Sequence, residues 1–210
     1  TDEASACEAV NVVRFRSDGL YGHNSECMAF SKAFPLITGE SLTGKKIFLI
    51  GAGGIAKAIA VACAQQSCET LTIASRNTEK ARKISSLVNS QVEDISRVAE
   101  FDDPGTIHCF YHADIIIHAT SSGMFPNQYV HPIPEDYQFM PHQLVLDMVY
   151  SPPQTKLLQI AEDRGCRFYS GRDVLFFSSL EAFQWLTDVR IDADNEKKLF
   201  HIWKEMLYNV

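Results

Sequence analysis

The sequence predicts an α/β fold with a mostly parallel sheet that is doubly wound, with helices on both of its faces. From Lys45 onward, short apolar runs alternate with amphipathic segments, which is the pattern of repeated βαβ units. Of the 210 residues, 46% are hydrophobic and 21% are charged, as in ordinary globular chains. This length corresponds to between one and two domains, with enough apolar residues for a core.

The predicted strands are short runs rich in β-branched residues. They span 46–50, 70–75, 114–119, 144–149 and 167–169, with a weaker candidate near Val92. The predicted helices carry apolar residues at helical spacing, and they span 55–65, 79–88, 154–164, 173–186 and 194–207. The strands and helices alternate in order along this part of the chain, so we expect one α/β unit from about residue 37 onward.

Ahead of this unit, residues 9–21 predict a β-hairpin whose turn is Ser17-Asp18-Gly19. Residues 25–36 predict a helix that ends at Pro35 and the following Thr38-Gly39. Because an isolated hairpin is only marginally stable in water, we expect this hairpin to be the last part of a larger unit.

Charge and composition exclude several function classes. The chain has 19 basic and 26 acidic residues, a net charge of -7, and no basic stripe, so a nucleic-acid partner is not expected. Its apolar runs fall far short of the roughly 18 residues that a membrane span needs. The six cysteines form no C-x-x-C pair, which predicts reduced thiols and a cytoplasmic location. The histidines at 108, 112 and 118 lack other ligands at suitable spacing, so no metal is expected.

The most informative segment follows the strand 46–50, where the sequence G-A-G-G-I-A leads directly into a helix. Its residues are Gly51, Ala52, Gly53, Gly54, Ile55 and Ala56. Gly51 permits a tight turn, Gly53 lets the backbone approach a pyrophosphate, and Ala56 allows close packing of helix and strand. An anion would bind the free N–H groups at the helix N-terminus. The alternative is that the glycines only form a tight turn, but their setting between strand and helix favours a dinucleotide.

The end of the second strand indicates which dinucleotide binds. Proteins that prefer NAD carry an acidic residue about 20 positions after the glycines, where it binds the ribose 2′-hydroxyl. Here the sequence is Ser75-Arg76-Asn77-Thr78, with Lys80 shortly after. Arg76 can bind a 2′-phosphate through its planar guanidinium, so we predict NADP. The alternative is that Thr78 is only a helix N-cap and that Arg76 and Lys80 are solvated surface residues.

Taken together, five ordered motifs resemble the shikimate dehydrogenase family. They are E-A-V-N-V-V at 8–13, G-H-N-S-E at 22–26, G-A-G-G-I-A at 51–56 with S-R-N at 75–77, A-T-S-S-G-M at 119–124 with D-M-V-Y at 147–150 and P-Q-T-K-L-L at 153–158, and Gly171 with Leu175, Ala182 and Phe183. Members of that family are NADP-dependent and join an N-terminal substrate domain to a C-terminal Rossmann-type domain. The resemblance covers nearly the whole chain.

The resemblance implies a division of the chain. Residues 1–36 would be the C-terminal remnant of a substrate domain with its linking helix, 37–190 the Rossmann-type NADP domain, and 191–210 a helix that packs back toward the substrate domain. It also implies site residues. The substrate residues would be Asn11, Glu26, Tyr150 and Ser178, of which Glu26 would be catalytic. The cofactor residues would include the glycine loop together with Ser75, Arg76, Asn77 and Lys80. Further cofactor residues would be Thr120, Ser121, Met124, Met148 and Gly171.

The chain also departs from the family pattern. Glu26 stands where the family has Asp, Ser178 where it has Gln, Val174 where it has Met, and Asp173 where it has Gly. In the family, a lysine pairs with the catalytic carboxylate and favours its charged form. That lysine and a small S-x-S carboxylate pocket lie upstream of the first motif, and this sequence does not contain them. We therefore expect these 210 residues alone to be inactive.

These observations predict an NADP-dependent oxidoreductase that acts on shikimate, quinate or a related small hydroxylated cyclic carboxylate. The departures motivate an alternative, a related module that binds cofactor or ligand without turnover and serves regulation or assembly. The last two predicted helices carry many apolar residues, most of them for the core, and the resemblance implies that this region also packs toward the substrate domain. We expect an exposed apolar patch there and self-association as a homodimer.

Overall fold

The computed structural model of the chain describes residues 1–92 and 94–208, and among these residues there are eight strands and eight helices. The strands are β1 (Val12–Arg16), β2 (Gly19–His23), β3 (Lys46–Ile50), β4 (Thr70–Ala74), β5 (Ser96–Ala99), β6 (Ile115–His118), β7 (Leu144–Asp147) and β8 (Arg167–Ser170). The helices are α1 (Asp2–Cys7), α2 (Glu26–Thr38), α3 (Gly54–Gln65), α4 (Thr78–Gln91), α5 (Pro104–Tyr111), α6 (Lys156–Asp163), α7 (Arg172–Thr187) and α8 (Ala193–Tyr208).

Strands β3 to β8 form a parallel sheet in the order β5-β4-β3-β6-β7-β8. The central strand β3 pairs with β4 on one side and β6 on the other, so that Leu49 lies between Ile73 and Ile117. The chain winds outward from β3 to β5, crosses the sheet, and winds outward again from β6 to β8. This is the Rossmann-type, doubly wound order that the sequence predicts. Its direction reverses between β3 and β6, where such folds open a crevice at the carboxyl ends of the strands.

Side chains of β3 alternate between two apolar layers. Ile47 and Leu49 face the layer of α2, α3, α4 and α7. Phe48 and Ile50 face the opposite layer with α5 and α6, where the Phe48 and Phe110 rings meet edge to face with centroids 5.3 Å apart. Each fully buried side chain of this kind contributes about 1.5–3 kcal/mol. Burial on both faces explains why the strand sequence is a continuous apolar run.

The hairpin of β1 and β2 forms a separate antiparallel sheet. Arg14 attaches it to the end of α7, because its guanidinium donates to both carboxylate oxygens of Asp188 and, at 3.0 Å, to the carbonyl oxygen of Trp185. The His23 ring stacks on the Trp185 ring at a centroid distance of 5.1 Å. The hairpin is therefore held by the α7 end rather than by the parallel sheet.

Helix α8 packs on α7 through Phe176 and Phe200, whose ring centroids are 5.3 Å apart, and an ion pair of Lys32 with Glu196 ties α8 to α2. Part of this region stays exposed. Its exposed apolar side chains are Phe183, Leu186, Val189, Leu199, Ile202 and Met206. These side chains form the kind of surface that the sequence predicts, and the homodimer stays a prediction.

The predicted strand near Val92 is wrong. Helix α4 continues to Gln91, and Val92 is its C-cap: its backbone is extended, but its N–H donates to the carbonyl oxygen of Val88 at 3.2 Å and not to a strand. The strand is β5, where Ser96 pairs with Leu71 of β4. Charged and polar residues around Val98 obscure its short apolar pattern.

Pro35 does not end α2, which runs through it to Thr38, whereas the predicted stop at Thr38-Gly39 is confirmed. The helix ends at Gly39, whose φ of +71° is left-handed and whose N–H donates to the Pro35 carbonyl oxygen at 3.0 Å. Proline removes one donor from a helix, and here the Ser31 carbonyl oxygen, four residues earlier, accepts from Gln66 Nε2 at 3.2 Å instead.

Two short helices were not predicted from the sequence. In α5, Pro104 occupies the first turn and the Asp103 carboxylate accepts from the Gly105 N–H at 2.8 Å, which is a recognisable start signal. In α1, Thr1 caps the helix by accepting from the Ala4 N–H at 3.3 Å. Both helices are shorter than the window in which helical periodicity can be recognised.

Three further features concern membranes, metals and thiols. No helix in the described part of the chain is long and apolar enough to cross a bilayer. Across residues 1–92 and 94–208, no three His, Cys, Asp or Glu side chains gather as a metal site. The six cysteines, all within these ranges, are free thiols.

Candidate cofactor and substrate site

The turn between β3 and α3 uses Gly51 and Gly53 differently. Gly51 has a φ of +127°, and a Cβ there would lie 2.5 Å from the Ala119 carbonyl oxygen, so the fold itself requires glycine. At Gly53, the N-cap of α3, a Cβ would meet no described atom within 4 Å apart from the immediate chain neighbours. The space above Gly53 and the free N–H groups of the first turn of α3 are therefore open to an anionic ligand.

A cavity of about 750 Å³ opens at this turn, at the carboxyl ends of β3, β4 and β6. Eleven residues predicted from the sequence line it: Gly51, Ala52, Gly53, Ile55, Ser75, Arg76, Asn77, Lys80, Thr120, Ser121 and Met124. Lining residues that the sequence reasoning missed include Phe101, Val130, His131 and Pro132. The position of Phe101, shortly after β5 at the same sheet edge, could have been found had that strand been placed correctly.

Arg76 and Lys80 give the β4 end of the cavity a positive charge. No Asp or Glu occurs among the described residues that line it. Asn77 is the N-cap of α4, and its side-chain oxygen accepts from the Lys80 N–H at 3.0 Å. The N-cap is thus Asn77 and not Thr78, which is the first helical residue. The cationic side chains of Arg76 and Lys80 line the same end of the cavity, where each can donate hydrogen bonds to a phosphate.

Four predicted cofactor residues do not line the cavity. Gly54 and Ala56 belong to the first turn of α3, and Ala56 is fully buried against the sheet, as its packing role requires. Met148 is mostly buried beyond the end of β7. At Gly171, the N-cap of α7, a Cβ would lie 2.3 Å from the Met148 carbonyl oxygen. Gly171 therefore permits α7 to start directly against the backbone at Met148.

A second polar cluster joins the hairpin, α2 and α7. The Asn11 side-chain amide donates to Ser25 Oγ at 3.0 Å, and the Ser25 N–H donates back to Asn11 Oδ1 at 3.0 Å. Ser25 Oγ also lies 2.9 Å from Ser178 Oγ of α7. Two of the predicted substrate residues are thus brought together. Their link, Ser25, was not predicted as a site residue, although it lies inside the G-H-N-S-E motif.

Glu26 follows Ser25 as the first residue of α2. The Asn24 side chain accepts from the N–H groups of Glu26 and Cys27 at 3.1 and 3.2 Å, which fixes the start of the helix. Burial raises the pKa of the Glu26 carboxyl above its ordinary value, and a hydrogen bond from Asn11 partly opposes this shift. The direction differs from the one expected beside a lysine, because desolvation is the largest influence here.

Tyr150, the fourth predicted substrate residue, stands apart. Tyr150 is 43% exposed. Its backbone carbonyl oxygen, not its side chain, accepts a hydrogen bond from Arg172 Nε at 3.1 Å. Among the hydrogen bonds of the described residues, none joins its hydroxyl to Asn11, Ser25 or Ser178. The structure thus assembles Asn11, Glu26 and Ser178 but not Tyr150.

The strand order, the glycine turn at the point where that order reverses, and the basic end of the cavity together define a dinucleotide-binding α/β domain. The family model described as shikimate / quinate 5-dehydrogenase matches residues 35–148 of the 210. The chain belongs to this family.

Known relatives agree with this membership. A protein from Moorella thermoacetica named shikimate dehydrogenase (NADP(+)) is 34% identical over 180 residues, which are 86% of this chain and 60% of that protein. The crystal structure of shikimate 5-dehydrogenase from Listeria monocytogenes, in complex with shikimate and NAD, matches with a TM-score of 0.84 and 26% identity. The match covers 99% of this chain and 71% of that one.

A third similar protein is the 5-ketofructose reductase of a Gluconobacter strain. Its crystal structure matches with a TM-score of 0.74 and 29% identity over 96% of this chain and 71% of that chain. The chain thus spans 60% of the Moorella protein and 71% of the two crystallised chains.

Proposed function

We propose that this chain contributes the NADP-binding domain and part of the substrate site of an oxidoreductase of the shikimate dehydrogenase type. Such an enzyme uses NADPH to reduce 3-dehydroshikimate to shikimate, and in the reverse direction it oxidises shikimate with NADP+. The quinate analogues would react in the same way. The observation that carries the proposal is the cavity at the reversal of strand order, which combines an open glycine turn with Arg76 and Lys80 and no acidic lining residue among those described.

The described residues fit NADP. A pyrophosphate would occupy the open space above Gly53, which a Cβ at this position would obstruct. The free N–H groups at the start of α3 would donate hydrogen bonds to the pyrophosphate. Arg76 and Lys80 would bind the 2′-phosphate, and Thr120, Ser121 and Met124 would form the opposite wall. When bound, the cofactor supplies the hydride. The NADP(+) named for the Moorella relative supports this assignment.

The polar cluster supports the substrate role. The Asn11 amide and the hydroxyls of Ser25 and Ser178 can exchange hydrogen bonds with hydroxyl groups of a cyclic carboxylate. Glu26 would donate or accept the hydroxyl proton that moves when the adjacent carbon gains or loses hydride. A carboxyl whose pKa is raised by burial retains its proton more readily, which suits the acid direction. Tyr150 and Gly171 remain predicted contributors to the pocket.

We further propose the division into residues 1–36, 37–190 and 191–210, a homodimer formed through the exposed side chains of α7 and α8, and a cytoplasmic location. The separate hairpin sheet supports a distinct unit at the start of the chain, and the first boundary falls within α2, near its end. The exposed apolar side chains support self-association, and the free thiols support a reducing compartment.

An enzyme is favoured over a module that binds without turnover, because the compared proteins are named as dehydrogenases and a reductase. The test is a spectrophotometric assay of NADP+ reduction by the full protein with shikimate, quinate or fructose as the alcohol. We expect reduction with shikimate or quinate, and a Glu26→Gln variant that binds NADP+ normally but is at least about 100-fold slower. Normal NADP+ binding without reduction by any of the three alcohols would instead support the non-catalytic module.

A further inference from the structure

A buried chain of hydrogen bonds lies at the carboxyl ends of β6 and β7, next to the cofactor cavity. Its centre is His118, the last residue of β6, whose side chain is fully buried. His118 Nδ1 lies 2.8 Å from Asp147 Oδ1, and His118 Nε2 lies 2.5 Å from Thr120 Oγ1. Both ring nitrogens are therefore engaged, one toward the sheet interior and one toward a residue that lines the cavity.

For a neutral imidazole, the partners fix the direction of each hydrogen bond. As a carboxylate, Asp147 only accepts, and it receives the Val149 N–H at 3.0 Å and the Thr155 hydroxyl at 2.5 Å. The His118 proton is therefore on Nδ1, which donates to Asp147. Nε2 is then the acceptor for the Thr120 hydroxyl. Thr120 Oγ1 in turn accepts the Ser122 N–H at 3.1 Å.

This chain of bonds connects two segments that the proposed function uses. Thr120, Ser121 and Met124 line the cavity, and the Thr120 methyl lies 3.1 Å from the position of a Cβ on Gly51. At the other end, the Asp147 carboxylate holds the backbone at Val149, directly after Met148. His118 is the link between the two segments. An apolar side chain of similar size would fill the same volume but would leave the Thr120 and Asp147 groups without these partners.

We infer that His118 is a positioning residue for the cofactor: through Nε2 it fixes the rotamer of Thr120, and so the cavity wall formed by residues 120–124. The inference rests on the proposed NADP site. It assigns His118 no contact with the cofactor, and its effect passes entirely through the Thr120 hydroxyl. It therefore differs from a purely structural role, in which His118 would only stabilise the fold through Asp147.

Two substitutions separate these roles. In His118→Asn, the amide nitrogen occupies the place of Nδ1 and can still donate to Asp147, but nothing replaces Nε2. Thr120→Val keeps the shape of the side chain and removes the hydroxyl. Thr106→Val, a buried threonine of α5 outside the cavity lining, is the matched control. Each variant is compared with wild type by amide hydrogen exchange without cofactor and by calorimetric titration with NADP+.

We expect the Ser122 amide to exchange about tenfold faster in His118→Asn and in Thr120→Val, while the β6 amides and the Thr106→Val variant stay as in wild type. We also expect His118→Asn and Thr120→Val each to bind NADP+ about tenfold more weakly than wild type. The variant that carries both substitutions should bind NADP+ no more weakly than either single variant. Unchanged Ser122 exchange in His118→Asn, or losses that multiply in the double variant, would overturn the inference. Should His118→Asn fail to fold, His118→Gln decides instead: its amide can occupy the place of Nε2 and bond the Thr120 hydroxyl but not Asp147, so we expect Ser122 exchange as in wild type, and faster exchange would overturn the inference.

The hydrogen-exchange arm is independent of the proposed function. Faster Ser122 exchange with no NADP+ binding by wild type would refute the NADP site while retaining the His118–Thr120 link. Normal NADP+ binding that neither substitution weakens would refute the positioning role while retaining the site.

Discussion

Asn11 and Ser25 hold each other through two reciprocal hydrogen bonds of 3.0 Å, which join the end of the first sequence motif to the start of α2. Ser25 is 1% exposed, so its N–H would have no solvent partner if Asn11 were lost. This pair places Glu26 one residue further on and brings the Ser178 hydroxyl of α7 into the same cluster. The candidate substrate site therefore depends on a contact between three separate elements.

Replacing Asn11 by alanine is expected to lower the free energy of unfolding by about 1–3 kcal/mol, because the buried Ser25 N–H is left unpaired. Asn195→Ala is the matched control. Its side chain lies at an exposed position near the start of α8, and the expected loss is below about 0.5 kcal/mol. Urea unfolding measures both values. Equal losses would show that the reciprocal bonds do not hold the cluster.

The two glycines of the β3–α3 turn predict opposite outcomes. Gly51→Ala places a Cβ 2.5 Å from a backbone oxygen at a φ of +127°, so we expect a loss of at least about 2 kcal/mol in unfolding free energy. Gly53→Ala meets no described atom, and we expect a loss below about 1 kcal/mol but NADP+ binding at least about tenfold weaker. Thermal unfolding and calorimetric titration distinguish the two effects. A Gly53→Ala variant that binds as wild type does would place the pyrophosphate elsewhere.

Arg76→Gln is expected to weaken NADP+ binding by about tenfold to a hundredfold, because a charge-assisted hydrogen bond to the 2′-phosphate is lost. NAD+ binding should change by less than about threefold, since NAD+ lacks that phosphate. Arg82→Gln is the control: Arg82 lies on α4, the helix that follows Arg76, and pairs with Glu100 at 3.5 Å outside the cavity lining. Titrations with both cofactors test this. Equal weakening of NADP+ and NAD+ would mean that Arg76 does not bind the 2′-phosphate.

The raised pKa of Glu26 predicts a pH-dependent effect on stability. The unfolded chain ionises this carboxyl at lower pH than the folded protein does, so ionisation favours unfolding as pH rises above about 4. Glu26→Gln removes this cost. We expect the variant to gain stability relative to wild type as pH rises from 4 to 8, and to show no such gain below pH 4.

The control for this prediction is Glu79→Gln. Lys83 lowers the pKa of Glu79, so the same substitution there should lose stability relative to wild type as pH rises. Thermal unfolding across the pH range measures both trends. A Glu26→Gln variant whose difference from wild type does not depend on pH would contradict the burial of the carboxyl.

The cofactor half of the site could be predicted from the sequence, because the residues that form it lie in short, contiguous motifs. Strand, glycine turn and helix are adjacent in the chain, and Arg76 follows the next strand directly, so backbone geometry alone places them together. The cluster of Asn11, Ser25 and Ser178 depends on how the hairpin and α7 meet, which no local pattern specifies. Only the family resemblance pointed to two of its three members.

The role of His118 also could not be predicted from local sequence. As a histidine at the end of an apolar strand, it gives no sign of partners 2 and 29 positions away. Its hydrogen bonds to Thr120 and Asp147 arise from the parallel register of β6 and β7, in which His118 lies beside Asp147. The strand near Val92 fails for a related reason, because the length of α4 is set by packing on the sheet rather than by a local stop signal.

We propose that the positive end of the cavity, formed by Arg76 and Lys80, selects the phosphorylated dinucleotide. Isothermal titration of this chain with NADP+ and, separately, with NAD+ tests it most directly. We expect one NADP+ bound per chain, with a dissociation constant at least about tenfold lower than that for NAD+. Equal affinity for the two cofactors, or no binding of NADP+, would contradict it.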